Sequence, residues 1–212
     1  MRFLVFDFET VGIDKDNDNG YKPYSNDKKP LPRENYPVEI GMCLLENDGT
    51  IVETRKIVIE GAERLSPWVE QNCSNVSLKT CEREGISFSD MLTRVADMIG
   101  DEPCTLVAHN IQYDWDEVIV VTAKEMNLTD SPAYLKLKNC PRHCTCINDR
   151  TKTNKTAYYH KTLKKWIGPN LAKLAKSCGV EYDTNSAHDA LYDVEITRKC
   201  FMKSIMYDRK NN

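Results

Sequence analysis

Residues 1–12 read MRFLVFDFETVG, and this stretch decides the fold because it predicts a buried central strand, Arg2 to Phe8, with two carboxylates at its end. Asp7 and Glu9 are two residues apart, so on a strand their side chains share one face, about 6.5–7 Å apart along the chain. Two adjacent carboxylates beside an apolar run are costly unless a positive charge lies between them. Acid pairs at strand ends also occur by chance, and the pair alone favours that simpler interpretation over a cation site.

Hydrophobic patterning around this strand predicts an α/β domain. Two apolar segments, Val38–Leu45 and Ile51–Ile59, flank the turn signal Asp48-Gly49 and are expected to form a hairpin. The other predicted elements are helices that start at Ser66-Pro67 or span 87–99, 111–126, 171–178 and 189–206, and strands at Cys104–Ala108 and around Cys144–Ile147. We therefore expect a mixed central sheet flanked by helices, in a single domain over 1–212 with a long loop insertion at 13–37.

Composition and charge restrict the class of protein. The chain has 212 residues, a net charge of −3 and 41% hydrophobic residues, and no apolar stretch approaches the length that spans a bilayer. The N-terminus carries one arginine, Arg2, before the first strand and lacks the pattern of a signal-peptide cleavage site. These features predict a soluble intracellular protein, in the cytoplasm or the nucleus, with no membrane partner.

The nine cysteines form an odd set, and several lie inside apolar segments, which favours reduced thiols over a disulfide framework. The densest group, CPRHCTC, holds Cys140, His143, Cys144 and Cys146 and could supply four zinc ligands. Its spacing lacks the paired C-x2-C knuckles of a structural zinc site, which favours metal-free thiols. The sequence alone leaves the zinc question open.

Basic residues concentrate in one part of the chain. From Tyr134 to Lys176 there are eleven Lys or Arg and one acid, Asp149, whereas the rest of the chain is acidic. This segment also contains Tyr158, Tyr159, His160 and Trp166. Basic residues interleaved with aromatic ones suit phosphate contact and base stacking. Runs of charge are also common on ordinary solvated surfaces, so the two interpretations stand about even.

Two further segments place acids beside predicted helix starts. AHNIQYDWDE (108–117) puts Asn110 at a strand-to-helix turn and Asp114 in the first turn of the helix. SAHDALYDVEIT (186–197) puts His188 just ahead of a helix and Asp193 inside it. In chain order the sequence offers D-x-E, a lone Asp after H-N-x3, and H-x4-D. We interpret His109, next to Asn110, as structural.

With these motifs the chain resembles the DEDDh superfamily of 3′→5′ exonucleases, which have a ribonuclease H-like fold and include the epsilon proofreading subunit of bacterial DNA polymerase III. FDFET, AHNIQYD and HDALYD look like the three motifs of that family, in the family order. The resemblance extends through LPRENYPVEIG, REGISFSDML, HCTCIND and WIGPNLAKLAKSCGV and so covers nearly the whole chain.

The resemblance implies a set of site residues. In the family four carboxylates hold two divalent ions, Mg²⁺ with Mn²⁺ as a substitute, and a histidine acts as the general base. The matching residues here are Asp7, Glu9, Asp114 and Asp193 for the metals and His188 for the base. Thr10 and Asn110 match residues that contact the terminal nucleotide. The histidine stands five residues before the last acid, as in the histidine-dependent subclass. Val11 departs from the family, which often has a second threonine there.

The function implied is hydrolysis of phosphodiester bonds at the 3′ end of single-stranded nucleic acid, DNA favoured and RNA the alternative, to release nucleoside 5′-monophosphates. A polymerase or a repair or replication complex is a candidate partner, and a homodimer is compatible with the sequence. Two other functions stay open at this point. One is a non-catalytic module that binds nucleic acid or a polymerase, and the other is an oligoribonuclease-like enzyme acting on very short RNA.

Overall fold

The computed structural model describes residues 1–12, 35–62, 65–73 and 76–211. Its centre is a five-stranded sheet in the order β3-β2-β1-β4-β5. β1 is the middle strand; β2 and β3 run antiparallel along one side of it, and β4 and β5 run parallel to it on the other. The strands are β1 (Arg2–Thr10), β2 (Pro37–Leu45), β3 (Ile51–Val58), β4 (Cys104–Ala108) and β5 (Arg142–Cys144). The expected mixed α/β sheet is confirmed.

Turn and capping residues fix the first half of the chain. At the β2–β3 hairpin the Asp48 carboxylate accepts a hydrogen bond from Thr50 N–H at 2.8 Å, and Gly49 supplies the positive φ that the turn needs. Three helices follow, each preceded by a serine whose hydroxyl accepts from a backbone N–H of the first turn. They are α1 (Pro67–Asn72), α2 (Leu78–Glu84) and α3 (Phe88–Ile99). The sequence predicted α1 and α3 and missed α2.

The helix after β4 begins at residue 111, as predicted, but has an unexpected form. Tyr113–Val120 is π-helical, and the helix then continues as α4 (Val121–Glu125). The predicted apolar face of Ile111, Trp115, Val118, Ile119 and Thr122 is buried throughout. A π-helical turn is rare and is frequently found at functional sites.

Residues 130–170, where the sequence signals were weak, hold short elements. They are α5 (Pro132–Lys138), α6 (Asp149–Thr153), and a separate two-stranded antiparallel sheet of β6 (Tyr158–His160) and β7 (Lys165–Ile167). The strand expected around Cys144–Ile147 is displaced toward the N-terminus and is the three-residue β5. Strands this short do not develop the alternating pattern from which strands are predicted.

The last two helices are α7 (Leu171–Cys178) and α8 (Ala190–Asn211). Gly179 ends α7 with a φ of 61°, as its position predicted, and α8 extends five residues past the predicted end at 206. Within the described ranges, no helix is both long and apolar enough to cross a membrane. The predicted loop at 13–37 lies outside the described residues as far as position 34, and Pro37 is the first residue of β2.

The two faces of the sheet are covered by different helices. Leu4, Phe6 and Phe8 of β1 pack in the core that holds the buried faces of α3 and the helix at 111–125. Phe3 and Val5 point the other way and pack with Val194, Phe201 and Met202 of α8. Because side chains alternate along a strand, Asp7 and Glu9 continue the face of Phe3 and Val5, which is the face that α8 covers.

Candidate active site

The start of α8 lies directly over the sheet beside Asp7. Asp7 pairs with Gly41 of β2, and a Cβ atom at Gly41 would lie 2.5 Å from the carbonyl carbon and oxygen of Ala190. Only glycine permits this approach of a helix backbone to a strand. The approach places His188 and Asp193, at the beginning of α8, next to the carboxylate end of β1.

Three of the predicted site residues meet there. One ligand atom from each of Glu9, His188 and Asp193 lies within 4.8 Å of the others, a grouping that could hold a metal ion. His188 has a φ of 65°, and its backbone N–H donates to Asp193 Oδ2 at 3.2 Å. The other oxygen of Asp193 is buried and has no hydrogen-bond donor within the part of the chain that the structure describes.

Asp114 joins the same site from the opposite side of β1. It is 2% exposed, and its Oδ1 accepts a hydrogen bond at 3.2 Å from the N–H of Phe8, the residue between Asp7 and Glu9. Phe8 lies beyond Val5, where the pairing of β1 with β4 ends, so its N–H is not used by that ladder. Asn110, exposed and with a φ of 70°, makes the turn that leads from β4 into this helix.

Burial raises the pKa of all four carboxylates, and repulsion by other members of the set adds to this for Asp7 and Glu9. Burial, followed by the charges of Asp114, Glu9 and Asp193, raises the pKa of Asp7 well above its ordinary value. Burial and the charge of Asp193 raise the pKa of Glu9 to about 8. Burial raises the pKa of Asp114 to about 7 and that of Asp193 to about 6, although both accept backbone hydrogen bonds that lower it. Mutual repulsion of this kind is relieved when a cation binds.

These observations fit a divalent cation. The four carboxylates offer the oxygen ligands that hard divalent cations prefer, and the imidazole of His188 lies beside them. The buried oxygen of Asp193 without a donor and the raised pKa values indicate a set of acids that the described residues leave uncompensated. Leaving such groups buried is unfavourable unless a positive charge completes the site.

The rim of the site is formed by side chains outside the metal set. The His188 ring is exposed and lies edge-on to the Trp68 ring, with 4.7 Å between centroids, and partial burial lowers its pKa. Thr10 Oγ1 is hydrogen-bonded to the Tyr113 hydroxyl at 3.1 Å, and that hydroxyl donates to Asn35 Oδ1 at 3.4 Å. Thr10 and Tyr113 thus connect the end of β1 to the π-helical segment.

An ion pair between the buried Glu39 and Lys56 lies beside the start of α8. Glu39 of β2 pairs with Glu9 of β1 in the sheet and is 1% exposed. Lys56 Nζ lies 3.2 Å from Glu39 Oε2 and 3.9 Å from Asp189 Oδ2. Burial raises the pKa of Glu39, and the nearby charge of Lys56 lowers it. Lys56 therefore links Glu39 of β2 to Asp189, the residue just before α8.

Several of these contacts had no signal in the sequence. Cys73 donates its thiol to Glu9 Oε2 at 3.5 Å, and Trp68 packs on His188, yet both residues come from the region of α1. The roles of Glu39 and Lys56 depend on strand register and could not be read locally. Tyr113 was the exception, because it stands next to Asp114 in the second motif.

The possible zinc cluster does not assemble. Among the described residues, Glu9, His188 and Asp193 are the one group of three or more potential ligands whose atoms come together. Cys140 donates instead to the carbonyl of Lys136, and Cys146 to that of Pro169. All nine cysteines are free thiols. His109 bonds Thr145 Oγ1 at 3.1 Å and Pro169 O at 3.0 Å, and burial lowers its pKa to about 4, so its structural role is confirmed.

Comparison with known families agrees with this arrangement. A family model described as Exonuclease (RNase_T) matches residues 4–201. The chain belongs to this exonuclease family. Ribonuclease T of Buchnera aphidicola subsp. Baizongia pistaciae (strain Bp) is 26% identical over 161 residues, which cover 74% of this chain and 61% of that protein. The chain therefore spans less than two thirds of this relative, and the expectation of a nuclease hydrolase is confirmed at the level of the family.

Solved structures share the fold. E. coli exonuclease I in complex with a dA16 oligonucleotide aligns over 99% of this chain and 42% of its own, with 15% identity and a TM-score of 0.66. A 3′-exonuclease studied for 3′-end specific recognition of a histone mRNA stem-loop aligns over 97% of this chain and 82% of its own, with 15% identity and a TM-score of 0.66. The ribonuclease H-like exonuclease fold is thereby confirmed. The particular likeness to the epsilon subunit stays a prediction.

Proposed function

We propose that the protein is a metal-dependent 3′→5′ exonuclease that removes nucleoside 5′-monophosphates from single-stranded nucleic acid. The observation that carries this proposal is the meeting of Glu9, His188 and Asp193, with Asp7 and Asp114 in the same electrostatic cluster. Without a cation these acids are expected to retain protons, and bound divalent cations would displace those protons. Membership of the exonuclease family supports the same reaction.

In this proposal Asp7, Glu9, Asp114 and Asp193 hold the metal. Divalent ions bound by these carboxylates, two Mg²⁺ with Mn²⁺ as a substitute, would stabilise the charge on the attacking and leaving oxygens of an in-line displacement. The exposed ring of His188 accepts the proton of the attacking water. Its lowered pKa keeps the imidazole neutral at neutral pH, which is the form that a general base requires.

The bond that breaks joins the terminal phosphorus to the 3′ oxygen of the penultimate nucleotide. Water adds to phosphorus, its proton passes to His188, and the released 3′ oxygen takes up a proton. Thr10, held by Tyr113, and the exposed Asn110 are proposed to contact the terminal nucleotide. DNA is favoured and RNA is the alternative, and the structures that share the fold include a protein named for each. A polymerase partner and a homodimer stay predictions.

Cleavage of single strands that carry a 5′ label tests this function. DNA and RNA of equal sequence are incubated with Mg²⁺, with Mn²⁺ or with EDTA, and the products are separated by length. We expect a ladder that shortens from the 3′ end with either metal and disappears with EDTA. Asp193→Asn is expected to remove it, and Asp116→Asn, an exposed acid on the same helix as Asp114, to preserve it. Intact DNA and RNA in both metals would contradict the proposal.

A further inference from the structure

The feature that the reaction leaves unused is the hairpin of β6 and β7 with its turn, residues 158–167, here called the arm. Its aromatic side chains remain open to solvent, with exposed fractions of 57% for Tyr158, 49% for Tyr159 and 37% for Trp166. Burial of a large apolar side chain contributes about 1.5–3 kcal/mol, so a hairpin with a purely structural role is expected to bury such rings. Their joint exposure indicates a surface that binds something.

Positive charge surrounds these rings. Residues 150–180 contain eight Lys or Arg and no Asp or Glu. Lys155, Lys161, Lys164 and Lys165 are exposed, and Lys165 pairs with His160 across the hairpin. A protein partner with an acidic surface would match the charge but would not require the exposed aromatic rings. A polynucleotide matches both, because it offers a phosphate and a flat base in every unit.

The rings of the arm are paired across the hairpin, and Tyr159 and Trp166 meet edge to face, with an angle of 71° between their planes. Tyr159 and Trp166 are directly opposite each other on one face of the arm, with ring centroids 5.8 Å apart. Lys152 Nζ lies 5.6 Å from the centroid of Trp166, so a positive charge stands beside the ring. Tyr158 and His160 lie on the other face, with centroids 6.4 Å apart.

The base of the arm is fixed to the edge of the sheet that carries the active site. β1, β4 and β5 are parallel, so their carboxyl ends share one edge. His109, next to Asn110 at the end of β4, is hydrogen-bonded to Pro169 just after the arm. A Cβ atom at Gly168 would lie 2.2 Å from Cys146 Sγ, beyond the end of β5. With strands about 4.8 Å apart, the base of the arm is about 10 Å from the end of β1.

We propose that the arm is a second contact surface for a single-stranded polynucleotide, on which bases stack against Tyr159 and Trp166 while lysines contact phosphates. The strand is the one whose 3′ end lies at the carboxylates, so the inference rests on the proposed function. Its consequence is a preference for strands long enough to reach from β1 past β5. A strand-binding arm therefore disfavours the alternative function of an enzyme that acts on very short RNA.

Binding measured without cleavage tests the arm separately from the reaction. The fluorescence anisotropy of a 5′-labelled oligodeoxythymidine of about 20 nucleotides, long enough for a strand-binding site, is followed in EDTA over a series of salt concentrations. A labelled trinucleotide serves as the short probe. The stacking variant is Tyr159→Ala/Trp166→Ala, and Tyr159→Phe/Trp166→Phe keeps flat rings at both positions.

The charge of the arm is tested by Lys161→Gln/Lys165→Gln. Its matched control is Lys124→Gln/Lys138→Gln, two exposed lysines at the ends of α4 and α5. Because these helices run from or into parallel strands of the sheet, both lysines lie toward the opposite edge. The control loses the same charge without touching the arm.

We expect the stacking variant to bind the long strand about tenfold more weakly, and the phenylalanine variant to stay close to the parent protein. The lysine variant is expected to reduce the slope of log affinity against log salt by roughly 1.4, the value for two phosphate contacts on a single strand, and the control to leave it unchanged. Binding of the trinucleotide should not change in any variant.

The outcomes separate the two proposals. If the stacking and lysine variants bind the long strand as the control does, the arm proposal is overturned, even if the parent protein cleaves; the arm would then be available to a protein partner. If binding depends on the arm but no strand is cleaved in Mg²⁺ or Mn²⁺, the exonuclease proposal fails and the arm proposal stands.

Discussion

The carboxylate edge of β1, formed by Asp7, Glu9, Asp114 and Asp193, and the arm both lie at the carboxyl ends of the parallel strands. The two regions differ in burial and in charge. At the carboxylate edge, acids are buried beside α8 and the π-helical segment, and their pKa values rise because burial and neighbouring acids disfavour the charged form. On the arm, lysines and aromatic rings face solvent. The carboxylate edge holds buried negative charge that favours cation binding, whereas the side chains of the arm contribute little to the stability of the fold.

This contrast shows how the two regions are expected to respond to change. A buried acid acts through geometry and charge that many other residues support, so its removal should affect reaction, metal binding and stability together. An exposed ring or lysine contributes little to the folded state, so its removal should affect substrate binding alone. Measuring the effects of substitutions in each region tests whether they differ in this way and by how much.

The largest effect is expected from Asp7→Asn. Removing one ligand charge from the centre of the cluster should reduce the cleavage rate by roughly 1,000-fold, equivalent to about 4 kcal/mol of transition-state stabilisation. Cleavage under substrate saturation measures it. Asp116→Asn provides the control, and a variant at Asp7 that keeps more than a tenth of the parent rate would exclude this residue from the metal set.

The next largest effect is expected from His188→Asn. Asparagine tolerates the positive φ of 65° at this position, so the change removes the ring without disturbing the backbone. Loss of a general base should reduce kcat about 100- to 1,000-fold. In the parent protein kcat should fall on the acid side with a midpoint below the ordinary histidine value of 6.5, because burial lowers the pKa of His188. An unchanged acid limb in the variant would show that another group titrates there.

Gly41→Ala tests whether the approach of α8 to β2 holds the site together. The added methyl group would contact the backbone of Ala190, so the start of α8 must move, which should cost about 1–3 kcal/mol of stability and about 10- to 100-fold in rate. Gly179→Ala is the matched control, since it strains a positive φ of 61° away from the site. It should lose stability without a matching loss of rate; equal losses of rate would contradict the positional role of Gly41.

The raised carboxylate pKa values predict how stability depends on pH. Glu9, Asp114 and Asp193 hold protons in the folded chain that the unfolded chain has already released above about pH 4. Stability without metal should therefore be fully present below that pH and be lost as the pH rises through 6 to 8. Chemical denaturation should show Asp193→Asn gaining on the parent by on the order of 2 kcal/mol between pH 5 and pH 8.

Added Mg²⁺ should reverse this trend, because it binds the deprotonated acids and stabilises the folded state by mass action. The melting temperature should rise with Mg²⁺ in the parent protein, more at pH 8 than at pH 5, and less in Asp193→Asn. A rise of equal size in parent and variant would mean that the metal binds elsewhere.

The smallest effect is expected from the arm. Tyr159→Ala/Trp166→Ala removes exposed rings and should change the free energy of unfolding by no more than about 0.5 kcal/mol for each ring. Denaturation in urea measures this, with the strand-binding experiment as its companion. A much larger loss would show that the rings belong to the fold, and the contrast between the two regions would then disappear.

The sequence predicted those elements in which a regular hydrophobic pattern continues over several residues or a capping residue marks the end. β1 to β4, α3 and α7 were found because alternation, helical periodicity and residues such as Ser87 and Gly179 act locally. The π-helical segment could not be distinguished from an α-helix, since eight residues carry too few turns to separate the two. β5, β6 and β7 have three residues each, which is too short for a pattern.

The candidate site divides in the same way. Its acids and His188 stand in ordered motifs, so their positions along the chain could be predicted together with the elements that carry them. Cys73, Trp68 and Glu39 enter the site only through packing and strand register, which no local pattern records. The exposure of Tyr158, Tyr159 and Trp166 likewise depends on how the elements around the hairpin pack, which the sequence left undecided.

The central claim is that the carboxylate edge of β1 is a divalent metal site, and counting bound Mn²⁺ tests it most directly. Free Mn²⁺ gives a paramagnetic resonance signal that disappears on binding, so the bound ions can be counted without substrate or cleavage. We expect saturable binding that approaches about two ions per chain, that is lost in Asp7→Asn and that persists in Asp116→Asn. Mn²⁺ binding that Asp7→Asn leaves intact, or no saturable binding in the parent protein, would contradict the account.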